Sequence, residues 1–432
     1  MRRFILYSYN FPPIGGAGAQ RPVKFVRYLR ELGWEAVVLT GPGHAQGRWT
    51  PQDPTLSADL PADLEIERVA GPEPGRSQGW RGRTERWLRT RTEWERWWVA
   101  GSVEQARRLG KIEAVYTIMA PYQSSEPSRR IAAEHGCPWI ADLGDPWALD
   151  EMMIYPSGLH RRLELRSMRS HLGTAAGIAM STPEAVERVR SSFPELGTKP
   201  IVAIPNGFDA MDFEGAAPGR TDAKFRIVHT GYLHTELGRD QQRVSSLRRL
   251  IGGSISDVEI ITRSHVYLLE AVNRLLEEEP SVASRLEVHF AGVISPGDAE
   301  IAARCPVSQL HGYVTHAESI ALMRGADLLF LPMQNLPPGR RAGIVPGKTY
   351  EYLASETPIL GALPDGDARD ILEEAGGAFL CRPDDVDAMQ QIVRGAVRGD
   401  LSAPRRNEEV VAGFAYERLC ERVAELLAQV AG

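Results

Sequence analysis

The chain has 432 residues, 43% hydrophobic and 25% charged, a soluble-globular composition too long for one ordinary core, so two domains of roughly 200 residues are expected. A formal charge of −6 gives no footing for a nucleic-acid partner, and none is expected. The four cysteines (Cys137, Cys305, Cys381, Cys420) are scattered without a Cys-x-x-Cys pair, which excludes a zinc-type motif and a disulfide framework and fits a reducing cytoplasm.

No apolar run approaches the ~18 residues of a membrane helix. The stretch Met1–Asn10 sets basic residues before a short apolar run that meets Pro12-Pro13, and it reads as a first strand rather than a signal peptide. Short apolar runs bounded by Gly and Pro then alternate with helical patterns, the signature of parallel α/β sheets. In the first half strands are expected at 4–9, 35–40, 114–118, 139–143, 177–181 and 201–204, with a helix at 21–32 stopped by Gly33. Between the first strand and that helix lies Phe11-Pro-Pro-Ile-Gly-Gly-Ala-Gly-Ala-Gln-Arg21. Gly15, Gly16 and Gly18 remove side chains at the carboxyl end of a strand, where open α/β sheets bind ligands. The run matches neither Gly-x-Gly-x-x-Gly nor a Walker loop, so dinucleotide binding and triphosphate hydrolysis are not indicated. Such a turn serves structure as readily as ligand binding, and Arg21 either meets an anion or caps the surface.

Residues 41–79, rich in Pro, Gly and acidic side chains, read as a long loop. The following segment, 80–98, sets Trp87, Trp94 and Trp98 at helical spacing, and seven arginines fall between Arg76 and Arg96 against three glutamates. Two readings stand: an amphipathic basic helix on an anionic bilayer, at the inner face of the membrane, or a helix docked on the first domain by its tryptophans with its arginines solvated.

In the second half strands are expected at 225–231, 286–291, 309–313, 328–332, 359–363 and 378–381, with helices at 265–278, 317–324 and 385–397. The domain changeover falls in 205–222, giving domains at 1–208 and 209–415. Residues 234–262 break the alternation and read as an insertion. A terminal helix, 416–430, gathers Leu419, Val423, Leu426, Leu427 and Val430 on one side.

The most informative stretch is Ile344-Val-Pro-Gly-Lys-Thr-Tyr-Glu-Tyr-Leu-Ala-Ser-Glu-Thr-Pro-Ile-Leu360. Pro346 and Gly347 open a helix, and the i, i+3 spacing puts Lys348 and Glu351 on one face of its first turn. A cation near free backbone N–H groups suits a diphosphate. A carboxylate that only accepts suits the paired hydroxyls of a ribose. A plain surface Lys–Glu pair has the same spacing.

Four blocks in order resemble the family 4 retaining glycosyltransferases. They are Phe11-Pro-Pro-Ile-Gly-Gly with Arg21 and Gly33-Trp34-Glu35; Pro138-Trp-Ile-Ala-Asp142-Leu-Gly-Asp145-Pro-Trp147; Ile204-Pro-Asn206-Gly207-Phe-Asp209; and Pro346-Gly-Lys348 through Pro358. Gly231-Tyr-Leu, Gly312-Tyr-Val and Ala326-Asp327 through Pro332 follow the family's run as well. The likeness leaves out 41–79 and 234–262.

The resemblance implies the GT-B fold, an α/β architecture of two Rossmann-like doubly wound domains facing each other across a cleft. The first would bind an acceptor and the second a nucleotide-diphosphate sugar of UDP or GDP type. It implies sugar transfer with retention, without a dedicated metal, to a glycan or lipid-linked hydroxyl, and a terminal helix returning to the first domain. Lys348 would contact the diphosphate, Glu351 the ribose, and Arg239 or Arg263 would supply a second phosphate cation. Gly15, Gly16, Arg21 and Gly231 would border ligands. Asp142 or Asp145 would orient the acceptor hydroxyl or take its proton. Asp145 before Pro146 also suits a turn cap.

Two departures stand out. Gly343 occupies the place of a second acidic residue that many relatives set against the sugar. Gly144 replaces their histidine before the aspartate matching Asp145. Arg340 and Arg341 read as a basic turn or as phosphate ligands. His135, His171, His265, His289, His311 and His316 show no pairing that sequence defends. The rival readings are a nucleotide-sugar epimerase or hydrolase on the same fold, and a non-catalytic nucleotide-sugar-binding protein.

Overall fold

A computed structural model describes the chain except residues 45–50, 76, 78, 216, 218, 244–251 and 253–256. The chain forms two compact units. The first includes Met1–Asn206 and takes back Tyr416–Gly432; the second lies between Gly207 and Ala415.

Among the described residues the first unit has a seven-stranded sheet, all parallel, in the order β3-β2-β1-β4-β5-β6-β7. The strands are β1 (Arg2–Ser8), β2 (Trp34–Thr40), β3 (Ile66–Arg68), β4 (Ala114–Ile118), β5 (Trp139–Leu143), β6 (Gly177–Met180) and β7 (Ile201–Ala203). Its helices are α1 (Ala17–Glu31), α2 (Gly79–Leu88), α3 (Glu93–Ala106), α4 (Ser125–His135), α5 (Gly158–Leu172) and α6 (Pro183–Ser192).

Side chains alternate across each strand. Phe4 and Leu6 of β1 pack on Phe25 and Leu29 of α1 and on Leu419 and Val423 of the C-terminal helix. Ile5 and Tyr7 face Trp94, Trp98 and Val103 of α3. Both faces of the sheet are therefore covered, and its strands read as continuous apolar runs.

Two expectations for this unit are corrected. The stretch 41–79 is not simply a loop: it contains a 3₁₀ helix, Pro54–Asp59, capped by Asp53, and the edge strand β3, paired with β2. Three residues are too few for a readable alternation. Residues 45–50, 76 and 78 of that loop reading, Arg76 among them, lie outside the described residues. The segment 80–98 is two helices, parted at Arg89 (φ 52°) and restarted by a capping box between Thr92 and Glu95. Trp94 and Trp98 of α3 are buried, Trp98 stacking on Tyr7 at 5.2 Å, whereas Trp80 and Trp87 of α2 are exposed.

The second unit has a six-stranded parallel sheet, again among the described residues, in the order β10-β9-β8-β11-β12-β13. Its strands are β8 (Phe225–Thr230), β9 (Leu286–Ala291), β10 (Ser308–Gly312), β11 (Leu328–Pro332), β12 (Ile359–Ala362) and β13 (Ala378–Cys381). Its helices are α7 (Thr235–Gln242), α8 (Val266–Glu278), α9 (Pro296–Ala302), α10 (His316–Arg324), α11 (Lys348–Ala354), α12 (Asp367–Ala375), α13 (Val386–Arg398) and α14 (Glu408–Ala412). The C-terminal helix, α15 (Tyr416–Ala431), belongs to the first unit. The region read as an insertion opens with α7, whose Gln241 side chain bonds Val258 O (2.6 Å) and Ile260 N (3.0 Å). Residues 244–251 and 253–256 of that region lie outside the described residues.

Both sheets reverse their strand order beside the first strand of the unit, between β1 and β4 and between β8 and β11. Such a switch point opens a crevice at the carboxyl ends of the strands. Among the described residues no helix is long and apolar enough to cross a membrane.

Candidate functional site

At the switch point of the second sheet, β8 ends at Thr230 and the chain turns through Gly231 with φ 96°. A Cβ at Gly231 would lie 2.9 Å from Lys348 Nζ, and one at Gly292, after β9, would lie 2.3 Å from Gly231 O. Two glycines thus let the β8 turn and the lysine approach each other. Tyr352 fixes α11 against the end of β8, its hydroxyl accepting from Thr230 N at 2.8 Å.

Lys348 Nζ lies 3.0 Å from His229 Nε2, and His229 Nδ1 lies 2.9 Å from Phe330 O. A carbonyl only accepts, so Nδ1 carries the proton and Nε2 offers a lone pair to the ammonium. Burial, then the charge of Lys348, holds the His229 pKa well below its ordinary value, so the imidazole is neutral. Burial also lowers Lys348 to about 7; the neighbouring Arg263 cation adds to the shift and Glu351 opposes it.

Arg263 follows the 3₁₀ turn Ile260–Thr262, which Thr262 ties to the end of β11 by donating to Met333 O (2.9 Å) and accepting from Asn335 N (2.7 Å). Arg263 Nη1 reaches Gln334 Oε1 at 3.5 Å. Arg239, the other phosphate candidate, is turned towards α9, where it pairs with Glu300 at 2.9 Å. The described geometry therefore brings Arg263 to Lys348 and engages Arg239 elsewhere.

Glu351 Oε1 lies 3.7 Å from His316 Nδ1, and His316 Nε2 lies 3.1 Å from Asp212 Oδ2. His316 thus stands between the Asp212 and Glu351 carboxylates, with Glu351 on the same first turn of α11 as Lys348. Two of the helix-end amides are engaged, Thr349 N with Pro346 O (3.0 Å) and Tyr350 N with Gly347 O (3.2 Å), and side chains add positive charge. Gly343 is buried, and Arg341 of the adjacent basic turn is held by Asp367 (3.1 Å) and Asp370 (2.6 Å).

The first-unit candidates separate into two groups. Arg21 and Asp142 are 5% and 1% exposed and form a bidentate pair, Nε–Oδ2 2.8 Å and Nη2–Oδ1 3.1 Å. Tyr116 donates to Asp142 Oδ2 (3.0 Å), and Arg21 also donates to Pro205 O (2.7 Å) and Ile204 O (2.9 Å). Burial, the largest single influence, lowers the Arg21 pKa, but the charge and hydrogen bonds of Asp142 together with Tyr116 and Tyr416 outweigh it and the net shift is upward. Asp142, read as a proton acceptor, and Arg21, read as an anion ligand, are thus engaged with each other in a buried lock between α1, β4, β5 and the end of β7.

Gly15 is likewise occupied, its amide donating to Pro51 O at 2.7 Å. Gly16 starts α1 with φ 81°, a conformation that favours glycine. Asp145 stands exposed in the turn after β5, where its carbonyl accepts from Trp147 N (2.8 Å). The Trp147 ring stacks on Tyr122 at 4.8 Å. A side chain at Gly144 would meet nothing within 4 Å.

Sequence reasoning missed His229 and dismissed His316. The available signal for His229 was a polar ring inside an otherwise apolar strand end, two places before a turn glycine.

No family model matches the chain, and no curated protein matches its sequence. Solved structures do match its fold over the full length. The α,α-trehalose-phosphate synthase (UDP-forming) of Burkholderia vietnamiensis aligns with a TM-score of 0.65 at 14% identity, over 100% of this chain and 99% of that one. The sucrose-phosphate synthase of Thermosynechococcus elongatus aligns at 0.62 and 14%, over 99% of both. HepE of Anabaena, in complex with UDP and glucose, aligns at 0.57 and 13%, over 99% of this chain and 100% of that one. The chain has the GT-B fold, two parallel Rossmann-like sheets flanked by helices.

Proposed function

We propose that this protein is a retaining glycosyltransferase of the family 4 kind. It would move a sugar from a UDP- or GDP-type donor to a hydroxyl of a cell-surface or secreted glycan, working at the cytoplasmic side. One observation carries the reading: the largely buried Lys348 ammonium, beside the Gly231 turn and next to Arg263, at the switch point of the second sheet. Fold neighbours that include a UDP-forming synthase and a protein solved with UDP and glucose support it.

In this reading Lys348 and Arg263 take the diphosphate and stabilise the charge that grows on it as the sugar leaves, without a dedicated metal. Glu351, steadied by His316, accepts from the ribose hydroxyls. Asp145 orients the acceptor hydroxyl or takes its proton. A second reading, nucleotide-sugar binding without transfer, draws on Gly144 and Gly343, where side chains that would meet the sugar are missing.

Calorimetric titration with UDP and GDP tests the donor site. Glu351→Ala is expected to weaken binding by about 1–3 kcal/mol, the cost of buried polar partners left unpaired. Lys348→Ala is expected to weaken diphosphates more than monophosphates. Unchanged affinity in the first, or equal losses in the second, would refute the respective role. Incubation with a panel of nucleotide sugars and hydroxyl acceptors, read by mass spectrometry, separates transfer from binding alone.

A further inference from the structure

Among the described residues, large apolar side chains that face solvent gather chiefly on two helices. Trp80 (75% exposed), Trp87 (59%) and Leu88 (68%) lie on α2, and Leu159 (62%) and Leu163 (38%) on α5. Trp80 and Trp87 are seven residues apart and Leu159 and Leu163 four, so each pair shares one face of its helix.

The two helices are joined at this point. The Trp87 ring lies 4.5 Å from that of His160, whose Nε2 donates to Trp87 O at 2.9 Å. Arg89 reaches across to Glu164 (2.8 Å) and Ser167 (2.9 Å). These contacts set the Trp87–Leu88 end of α2 beside α5, so the exposed apolar side chains of the two helices meet there.

The rim around them is basic. Together α2 and α5 carry seven arginines and two glutamates, on a chain whose overall charge is −6. Both glutamates already have cationic partners: Glu85 meets Arg81 at 3.3 Å and Glu164 meets Arg89. Arg83, Arg86, Arg162 and Arg166 are exposed.

We propose that α2 and the first half of α5 form a docking surface for an anionic lipid bilayer. Indole rings favour the level of the headgroups. Leucine side chains bury apolar area just below it, and arginines extend along the apolar surface to reach lipid phosphates. Trp94 and Trp98 of α3, buried against the sheet, take no part, so the surface is narrower than the segment 80–98 on one side and extends to α5 on the other. Glu164 also accepts from Trp147 Nε1 at 2.8 Å, tying α5 to the turn that carries Asp145. Docking here would hold that turn close to an acceptor embedded in lipid. The surface stands independently of the donor site.

Co-sedimentation of the full chain with vesicles tests it. Binding is expected to vesicles containing phosphatidylglycerol and not to pure phosphatidylcholine, and it should weaken with salt as the basic rim is screened. The double variant Trp80→Ser, Trp87→Ser is expected to lose about tenfold or more in partitioning. Its thermal melt and its UDP titration serve as controls for folding and for the donor site. Absence of binding to anionic vesicles, equal binding to neutral ones, or full binding by the variant would overturn the proposal. So would concentration-dependent self-association, by sedimentation velocity, that the same substitutions abolish.

Discussion

Asp142 and Lys348 are both ions set inside protein, yet their surroundings give them opposite tasks. Asp142 spends both oxygens on Arg21 and accepts a third bond from Tyr116. Such a pair is strongly destabilising to break, because the survivor is left charged and dry. Asp142→Ala should therefore cost about 3–5 kcal/mol in denaturant unfolding of the first unit. Near wild-type stability would contradict the lock, and the nucleotide affinity of the second unit should hardly change.

Lys348 instead faces a neutral imidazole and a second cation, an environment that leaves its charge poorly balanced until an anion arrives. In the free protein it is mostly protonated only below about 7. A bound diphosphate favours the charged form and raises that pKa, so binding takes up a proton between the free and bound values. Affinity for UDP should accordingly be highest below about pH 7 and fall as pH rises from there towards the bound pKa. Calorimetry at pH 8 in buffers of different ionisation enthalpy reads the uptake directly, and a heat independent of buffer would remove Lys348 from the site.

At the scale of elements, the strands were the legible part. Runs such as Ala114–Ile118 and Leu328–Pro332 are short, apolar and bounded by breakers, which a buried parallel strand requires. The edge strand β3 escaped notice because half-buried Ile66-Glu67-Arg68 carries no such run. The split of α2 from α3 escaped too, since tryptophan spacing continues across Arg89 while the backbone does not. Helix α15 makes a further prediction. Leu419, Val423, Leu426 and Leu427 are buried on the α1 face of the first sheet. At roughly 1.5–3 kcal/mol per buried aliphatic side chain, their removal approaches or exceeds the whole stability of a typical domain, about 5–15 kcal/mol. A chain ending at residue 415 should lose cooperative folding of the first unit, seen as rapid proteolysis within 1–206. A protease-resistant first unit would show that α15 is dispensable.

At the scale of the whole molecule, two sheets of like order repeat one plan, each reversing its strand order beside its first strand. The sequence by itself determined that plan: hydrophobic period and turn residues are local, and they marked the strands, the two-domain division and the helix bearing Lys348 and Glu351. Only the tertiary structure decided how charges are matched. Arg21 meets Asp142 across 121 positions and Lys348 meets His229 across 119, and neither separation leaves a trace in a local pattern. That Arg263 neighbours Lys348 while Arg239 pairs with Glu300, and that Trp87 is exposed while Trp98 is buried, has the same origin. Which side chain is compensated, and which is left facing water or a ligand, depends on what the chain brings back beside it.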